Sequence, residues 1–247
     1  GEALSSISSV SKLTILSRRA DEESGARLTG TGEGFDTADY AGPPGSTIMV
    51  ENLFYNVPAR KKFLKSVRTE QRFIREIFLK IALPHPGIAF TLDVDDGRRL
   101  TLNSVNSIEE RLGQIYGSGI MDDLYAVTLR DLKVTMSGFL SRPHYLRPNR
   151  AMQILYVNRR PVEHRYLGFL LSKAYEAAAP RGKHPAGIIL IDIDPRLVDV
   201  NIHPAKKEVK LFDSRYIDRL ILALGEKALG REHAVEERLF TPGTSGI

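Results

Sequence analysis

Apolar residues recur along this chain with two different periods, which predicts a fold containing both strands and helices. Alternation with period two marks residues 88–92 and 100–102 as the strands of a hairpin with its turn at Asp96 and Gly97. Helical spacing marks a helix that begins near Thr69 and stops at Pro84. Its apolar stripe, which we expect to be core, consists of Phe73, Ile74, Ile77, Phe78 and Ile81.

The second half of the chain continues the mixed pattern after Ser107, whose spacing to Glu110 is that of a capping box. Residues 187–193 are almost continuously apolar, as in a strand buried on both faces. Further strands are predicted at 124–129, 132–140, 153–157 and 208–212, and further helices at 165–178 and from about 214 to Gly230. We therefore predict domains at 1–105 and 106–230, with the start of a linker at 231–247.

Residues 199–209, DVNIHPAKKEV, combine strand alternation with a proline turn that is followed at once by lysine. Pro204 has no N–H group for a strand ladder, so the strand is expected to end there. Lys206 would then be aimed by the turn, and phosphate is a natural partner for such a cation. An ordinary turn with two solvated lysines is the alternative interpretation.

Composition limits the classes of protein that fit. The 247 residues carry 35 Lys and Arg against 30 Asp and Glu, a net charge of +5, and contain no cysteine. Disulfides and thiolate metal sites are therefore excluded, and a reducing compartment fits. No apolar run approaches the roughly 18 residues that span a bilayer. We expect a cytoplasmic protein and no membrane partner.

The basic excess is concentrated between residues 142 and 183, as an electrostatic footprint for a polyanion requires. A solvated basic face is the alternative. The candidate phosphate contacts are Arg147, Arg150, Arg159, Arg160, Arg165 and Lys173.

Two other patterns carry weaker signals. Gly30, Gly32 and Gly34 are interpreted as a glycine-rich hairpin or loop, because no strand-to-helix context supports a phosphate loop. The basic helix predicted at 59–65 is interpreted as a solvated face, with a phosphate contact as the minority alternative. No histidine shows metal-ligand spacing, and no Ser/His/Asp arrangement can be defended.

Three stretches together resemble one family. They are residues 1–10 (GEALSSISSV), residues 45–64 (GSTIMVENLFYNVPARKKFL) and residues 199–206 (DVNIHPAK). Their order and spacing resemble those of the MutL family of DNA mismatch repair proteins. Residues 156–160, YVNRR, resemble the strand that leads into the family's basic helix, with Arg159 where glycine is usual. The resemblance extends from Gly1 to about Leu224.

The resemblance implies an α+β fold: the C-terminal part of a GHKL-type ATPase sandwich, then a domain resembling domain two of ribosomal protein S5. It implies ATP with Mg²⁺ as cofactors and dimerisation of two chains on ATP binding. The implied function is to link mismatch recognition by a MutS-type partner to strand incision, with nonspecific binding to single- or double-stranded DNA. The resemblance also implies association with the nucleoid if the source is bacterial.

The same resemblance assigns the candidate nucleotide contacts. Gly1, Glu2, Ala3 and Leu4 resemble the end of a lid motif near the triphosphate, and Ser46 and Thr47, after Gly45, resemble the adenine-side motif. Lys206 resembles the lysine that reaches the γ-phosphate, and is the catalytic candidate; Asn201 resembles the asparagine that holds its loop.

The family's catalytic glutamate, its magnesium-binding asparagine and its adenine-binding aspartate would all lie upstream of Gly1. We therefore expect a fragment in which hydrolysis by this chain alone is improbable, because water activation and charge neutralisation would both be lost. Two alternatives stay open: a salt-sensitive DNA-binding module without ATPase activity, and a gyrase-like or chaperone relative with the same two-domain plan.

Overall fold

The computed structural model describes residues 2–31, 34–95, 97–131, 133–199, 210–211 and 214–240. The chain divides into two compact units, residues 1–73 and 74–247, and the division falls inside a helix, Val67–Ala82. Among the described residues, no helix is long and apolar enough to cross a membrane.

The first unit is built on a four-stranded antiparallel sheet in the order β3-β2-β1-β4. Its elements are α1 (Glu2–Ser8), β1 (Lys12–Arg18), β2 (Gly25–Thr31), β3 (Gly34–Tyr40), β4 (Gly45–Glu51), α2 (Pro58–Lys62) and the first part of α3 (Val67–Ala82). Thr31 pairs with Gly34, so the glycine-rich segment is a hairpin, as predicted. Gly32 and Glu33 lie outside the described residues.

The turn between α1 and β1 is the best-buried part of the first unit. Ser8 and Ser11 are buried, and their hydroxyls donate to helix carbonyls, Ser11 Oγ to Ile7 O at 2.7 Å. Segment 52–57 packs on this turn, because Asn56 Nδ2 donates to Ser9 O at 2.9 Å. Two stretches that carry the family resemblance are thereby held together by hydrogen bonds.

The second unit contains a five-stranded sheet in the order β11-β10-β13-β8-β7, in which β10 and β13 are parallel and the other neighbours antiparallel. Its strands are β5 (Phe90–Asp93), β6 (Arg99–Leu102), β7 (Leu124–Arg130), β8 (Val134–Ser141), β9 (Leu146–Arg147), β10 (Gln153–Val157), β11 (Arg160–Val162), β12 (His184–Pro185), β13 (Gly187–Ile193), β14 (Val198–Asp199) and β15 (Lys210–Leu211). Its helices are the rest of α3, α4 (Ile108–Tyr116), α5 (Leu167–Ala174) and α6 (Ser214–Phe240), with 3-10 turns at Ser118–Asp122 and Pro195–Leu197.

Both faces of this sheet are covered, which explains the continuous apolar run predicted as a buried strand. Ile189 and Ile191 of β13 pack with Leu171 and Ile221, from α5 and α6, on one face. Ile188 and Leu190 pack on the other face with residues that include Leu83 and Leu112. Alternate side chains of one strand therefore enter two cores, as the period of two requires.

The helix cap predicted at Ser107 is confirmed, whereas the buried stripe predicted on α3 is wrong. Ser107 accepts a hydrogen bond from Glu110 N at 3.2 Å, which confirms the helix cap. The stripe predicted as core on α3 is wrong, because it is largely open to solvent: Ile74 is 52% exposed, Ile77 55% and Ile81 47%. Amphipathic spacing identifies an apolar helix face but does not determine whether another element covers it.

The end of α6 also differs from the sequence-based expectation. The helix continues to Phe240, beyond Gly230, where the sequence predicts its end. A single glycine costs a helix only about 1 kcal/mol relative to alanine. The predicted domain boundary near residue 105 stays a prediction, although residues 74–105 are grouped with the second unit.

Candidate functional site

The candidate nucleotide contacts of the first unit belong to α1 and to the start of β4. Glu2 is the first residue of α1. Ala3 is exposed, and Leu4 is half-buried. Ser46 and Thr47 are exposed on β4, and Ser46 Oγ lies 2.8 Å from Ser17 Oγ on β1. Among the described residues, no hydrogen bond joins these two groups.

The remaining nucleotide candidates, Gly1, Asn201 and Lys206, lie outside the described residues. The strands that flank the predicted proline turn are described and pair with each other: Val198 with Leu211, and Asp199 with Lys210. Of the residues that alternate in the sequence, Asp199 belongs to this antiparallel pair, and residues 200–203 lie outside the described residues.

The basic candidates lie around the β10–β11 hairpin and α5 of the second unit. Val157 pairs with Arg160, so Asn158 and Arg159 form a two-residue turn, with φ of 48° and 65°. Positive φ at both positions is the signature of a type I′ turn. Asn158 also binds the end of β13, because its Nδ2 donates to Ile193 O at 2.9 Å. This fixes the hairpin that carries Arg159 and Arg160.

The six basic candidates differ in their surroundings. Arg147 is half-buried, with its guanidinium over the Tyr145 ring and Nη1 donating to the Tyr145 hydroxyl at 3.3 Å. Arg165 is exposed and lies 5.5 Å from the ring centroid of Tyr166, which is itself exposed. The other four are exposed and make no ion pair with another described residue: Arg150, Arg159, Arg160 and Lys173.

The structure brings Arg150 and Arg160 into one cleft and adds two residues, a lysine and a histidine, that were not among the candidates from the sequence. Lys80 of α3 and His164 before α5 line the same cleft. Lys80 could have been found from its place on α3 between Ile77 and Ile81. Nothing in the sequence indicated a role for His164. The Oδ1 atom of Asp218 on α6 lies 3.1 Å from His164 Nε2 in space, but the two residues are far apart in sequence.

Tyr156 connects α3 and β10, two of the elements that line the cleft. It is fully buried on β10, and its hydroxyl donates to the carbonyl of Lys80 at 3.0 Å. Burial raises the pKa of this phenol well above its usual range, with Tyr116 adding to the effect. The hydroxyl therefore stays protonated and able to donate.

The described residues contain no group of three or more histidine, aspartate or glutamate side chains arranged to hold a metal ion. They offer exposed cations and hydroxyls, which suit the binding of an anion.

Comparison with known proteins gives the context of this arrangement. Residues 112–230 match the family described as DNA mismatch repair protein, C-terminal domain. The DNA mismatch repair protein MutL of Porphyromonas gingivalis is 38% identical over 236 residues, which cover 95% of this chain and 38% of that protein. The chain thus spans 38% of the length of this curated relative.

Two solved structures support the fold. One is the N-terminal domain of a DNA repair protein, which has a TM-score of 0.78 and 23% sequence identity to this chain. The match covers 98% of this chain and 77% of that one, and at this identity it shows similarity of fold alone. The Aquifex aeolicus MutL ATPase domain, solved with ADP, has a TM-score of 0.62 at 28% identity, covering 78% and 72%.

The fold is therefore that of the mixed α/β ATPase domains of the GHKL type, which confirms the predicted fold class. The chain belongs to the MutL family of DNA mismatch repair proteins. This confirms the resemblance drawn from residues 1–10, 45–64 and 199–206.

Proposed function

We propose that this protein is a MutL-type mismatch repair factor that dimerises on ATP binding and links mismatch recognition by a MutS-type protein to strand incision. The observation that carries the proposal is the 38% identity to a MutL protein across 95% of the chain. A related MutL domain that was solved with ADP supports a nucleotide ligand. The family resemblance adds Mg²⁺ as the proposed companion of that nucleotide.

The proposed nucleotide contacts are those assigned by the resemblance: residues 1–4, Ser46, Thr47, Asn201 and Lys206. Lys206 would meet the charge that develops on the γ-phosphate and so act as the catalytic cation. Asn56 supports the first group indirectly, since its bond to Ser9 O fixes the turn at the end of α1.

Lys206→Ala tests the nucleotide part of the proposal. Binding of a fluorescent ATP analogue with Mg²⁺ is measured by anisotropy, and dimerisation by sedimentation with a non-hydrolysable analogue. We expect about tenfold weaker binding, or ~1.4 kcal/mol, and loss of nucleotide-dependent dimerisation. Lys12→Ala, at an exposed lysine of β1, is the control. Unchanged binding and dimerisation in Lys206→Ala would refute the assigned role.

A second function, nonspecific DNA binding, is favoured by the exposed cations of the second unit. Arg150, Arg159, Arg160 and Lys173 make no ion pair with another described residue, so they are available to phosphates. Each phosphate contact on duplex DNA contributes about 0.9 to the slope of log K against log salt concentration.

Charge reversal tests the DNA-binding function. In Arg160→Glu with Arg165→Glu we expect weaker binding to duplex DNA and a salt slope smaller by about 2, measured by anisotropy from low to physiological salt. The control is Arg19→Glu with Arg99→Glu, which changes net charge equally at arginines that are already paired with Asp21 and Asp93. A flat salt dependence, or equal losses in both double variants, would count against this function.

A further inference from the structure

The cleft that contains Arg150 and Arg160 has the size and lining of a small-ligand site. Its volume is about 580 Å³, within the roughly 300–1,000 Å³ that is typical of such sites. Its walls come from α3, the β10–β11 hairpin and the start of α5. The apolar part of the lining consists of Ile77, Ile81, Ile154, Pro161, Val162 and Leu167.

Cations converge on this apolar cleft. Lys80, Arg150 and Arg160 line it, all are exposed, and none makes an ion pair or a side-chain hydrogen bond with another described residue. Glu163 is the acidic residue of the lining. The three cations outnumber this carboxylate and leave the lining with an excess of positive charge, so an anion bound among them is stabilised. The lining therefore suits a ligand that carries both an apolar body and a negative group.

Two buried polar atoms of the lining residues lack hydrogen-bond partners within the described part of the chain. Gln153 Oε1 is one of them. Because Gln153 Nε2 donates to Pro185 O at 2.9 Å, the orientation of the amide is fixed and Oε1 remains an acceptor. His164 Nδ1 is the other, while Nε2 of the same ring lies 3.1 Å from Asp218 Oδ1. A ligand that donates hydrogen bonds would satisfy an acceptor that is costly to leave unpaired.

Gly168, near the start of α5, allows the Arg150 guanidinium and the Gln153 side-chain amide to approach the helix. A Cβ at this position would lie 2.8 Å from Arg150 Nη1 and 3.0 Å from Gln153 Oε1, closer than side chains normally tolerate. Glycine thus permits one cation and one unpaired acceptor to lie side by side at the cleft. The arrangement offers a phosphate site beside a hydrogen-bond acceptor.

We propose that this cleft binds one nucleotide unit, with the base against the apolar walls and the phosphate among Lys80, Arg150 and Arg160. A nucleobase combines an apolar face with N–H donors for Gln153 Oε1, and the phosphate of the nucleotide supplies negative charge for the three cations. Apolar walls of this kind hold bases removed from a stack. The nucleotide comes either from solution or from an unpaired position in a DNA strand. The second source rests on the proposed DNA binding.

The test uses 2-aminopurine as the base in two probes: the free deoxynucleoside monophosphate and a single-stranded oligonucleotide. A third probe is an oligonucleotide of the same length in which every position is abasic, with a terminal dye. The variant Ile77→Ser with Ile81→Ser removes apolar wall without changing charge, at residues that are 55% and 47% exposed. Ile74→Ser is the matched control on the same helix, 52% exposed and outside the cleft lining.

We expect wild type to bind the base-containing probe at least tenfold more tightly than the Ile77→Ser/Ile81→Ser variant, and Ile74→Ser to match wild type. Affinity for the abasic strand is expected to be equal in all three proteins. Gly168→Ala is expected to lower the affinity for the base-containing probe, because the added methyl group displaces Arg150. Circular dichroism checks that this variant is folded.

The outcomes separate this proposal from DNA binding in general. If wild type and the double serine variant bind base-containing and abasic strands alike, with a normal salt slope, the cleft proposal is overturned and DNA binding stands. If the free nucleotide binds in an Ile77- and Ile81-dependent manner but no DNA binds at low salt, the cleft proposal stands and DNA binding fails. If neither base-containing probe binds wild type, the cleft proposal is overturned.

Discussion

Asn158 is joined to Ile193 by both ends of its side-chain amide: Nδ2 donates to Ile193 O at 2.9 Å, and Ile193 N donates to Oδ1 at 3.0 Å. The backbone N–H of Asn158 also donates to Ile191 O at 2.8 Å. The side chain therefore extends the parallel pairing of β10 and β13 by one step beyond the last backbone pair. It anchors the turn that presents Arg159 and Arg160.

Asn158→Asp is expected to destabilise the second unit by about 1–3 kcal/mol, because a carboxylate cannot donate to Ile193 O and places two acceptors together. Urea unfolding followed by circular dichroism measures the change. Asn149→Asp is the control, since Asn149 uses only its Oδ1, as an acceptor from Ala151 N at 3.1 Å, in the hydrogen bond described. Equal midpoints for the two variants would contradict the assigned role of Asn158.

Arg159→Gly is expected to raise stability and lower DNA affinity together. Arg159 has a φ of 65°, a conformation that costs a side chain about 1 kcal/mol and costs glycine little. Thermal unfolding should therefore move up by a few degrees. If Arg159 contacts phosphate, the salt slope for duplex DNA should fall by about 0.9. Arg159→Ala separates the effect on DNA affinity from the effect on stability. It removes the charge, but alanine at a φ of 65° keeps the backbone strain.

Ser141→Ala is expected to cost about 1–3 kcal/mol, although only one oxygen is removed. Ser141 is fully buried, and its Oγ accepts from Ala186 N at 2.7 Å where the β8–β13 pairing ends. The substitution leaves that N–H buried without its partner. Ser172→Ala is the control, because its hydroxyl donates to Gly168 O on its own helix. Comparable unfolding midpoints in the two variants would argue against this account.

Stability is expected to fall at alkaline pH through buried tyrosines. Burial raises the pKa of Tyr116 to about 12, with Tyr145 adding to the effect and Arg147 opposing it. Because the unfolded phenol loses its proton near pH 10, the unfolded state binds fewer protons between about pH 10 and 12. The contribution of Tyr116 is therefore complete below pH 10 and declines as pH rises toward 12.

Tyr116→Phe is expected to reduce that decline, measured as the urea midpoint at pH 9, 10 and 11. Tyr55→Phe, which removes the phenol of an exposed side chain, serves as the control and should keep the wild-type profile. Identical profiles for all three proteins would show that Tyr116 does not contribute.

The two periods in the sequence predicted most strands and helices of the second unit, because both faces of its sheet are covered and most of its buried positions are therefore apolar. Prediction was weaker on α3. The spacing of its apolar residues predicts a buried stripe, yet Ile77 and Ile81 of that stripe line an open cleft. Periodicity reports which face is apolar, and only the neighbouring elements determine whether that face is covered.

The candidate site divides in the same way. Local charge density identified Arg150 and Arg160, because basic residues close in sequence need no tertiary information to be counted. It could not identify Lys80, which α3 supplies from 70 residues before Arg150, or the unpaired oxygen of Gln153. These groups meet only when α3, β10 and α5 are packed together.

The sequence by itself determined the family, the class of fold and the position of the basic region, because motifs, periodicity and charge are local properties of the chain. The tertiary structure decided which cations share a cleft, which buried atoms lack partners, and that Arg147 packs against Tyr145 whereas Arg150 is exposed. Those properties depend on distances between residues far apart in sequence, and the packing of helices against the sheet sets such distances.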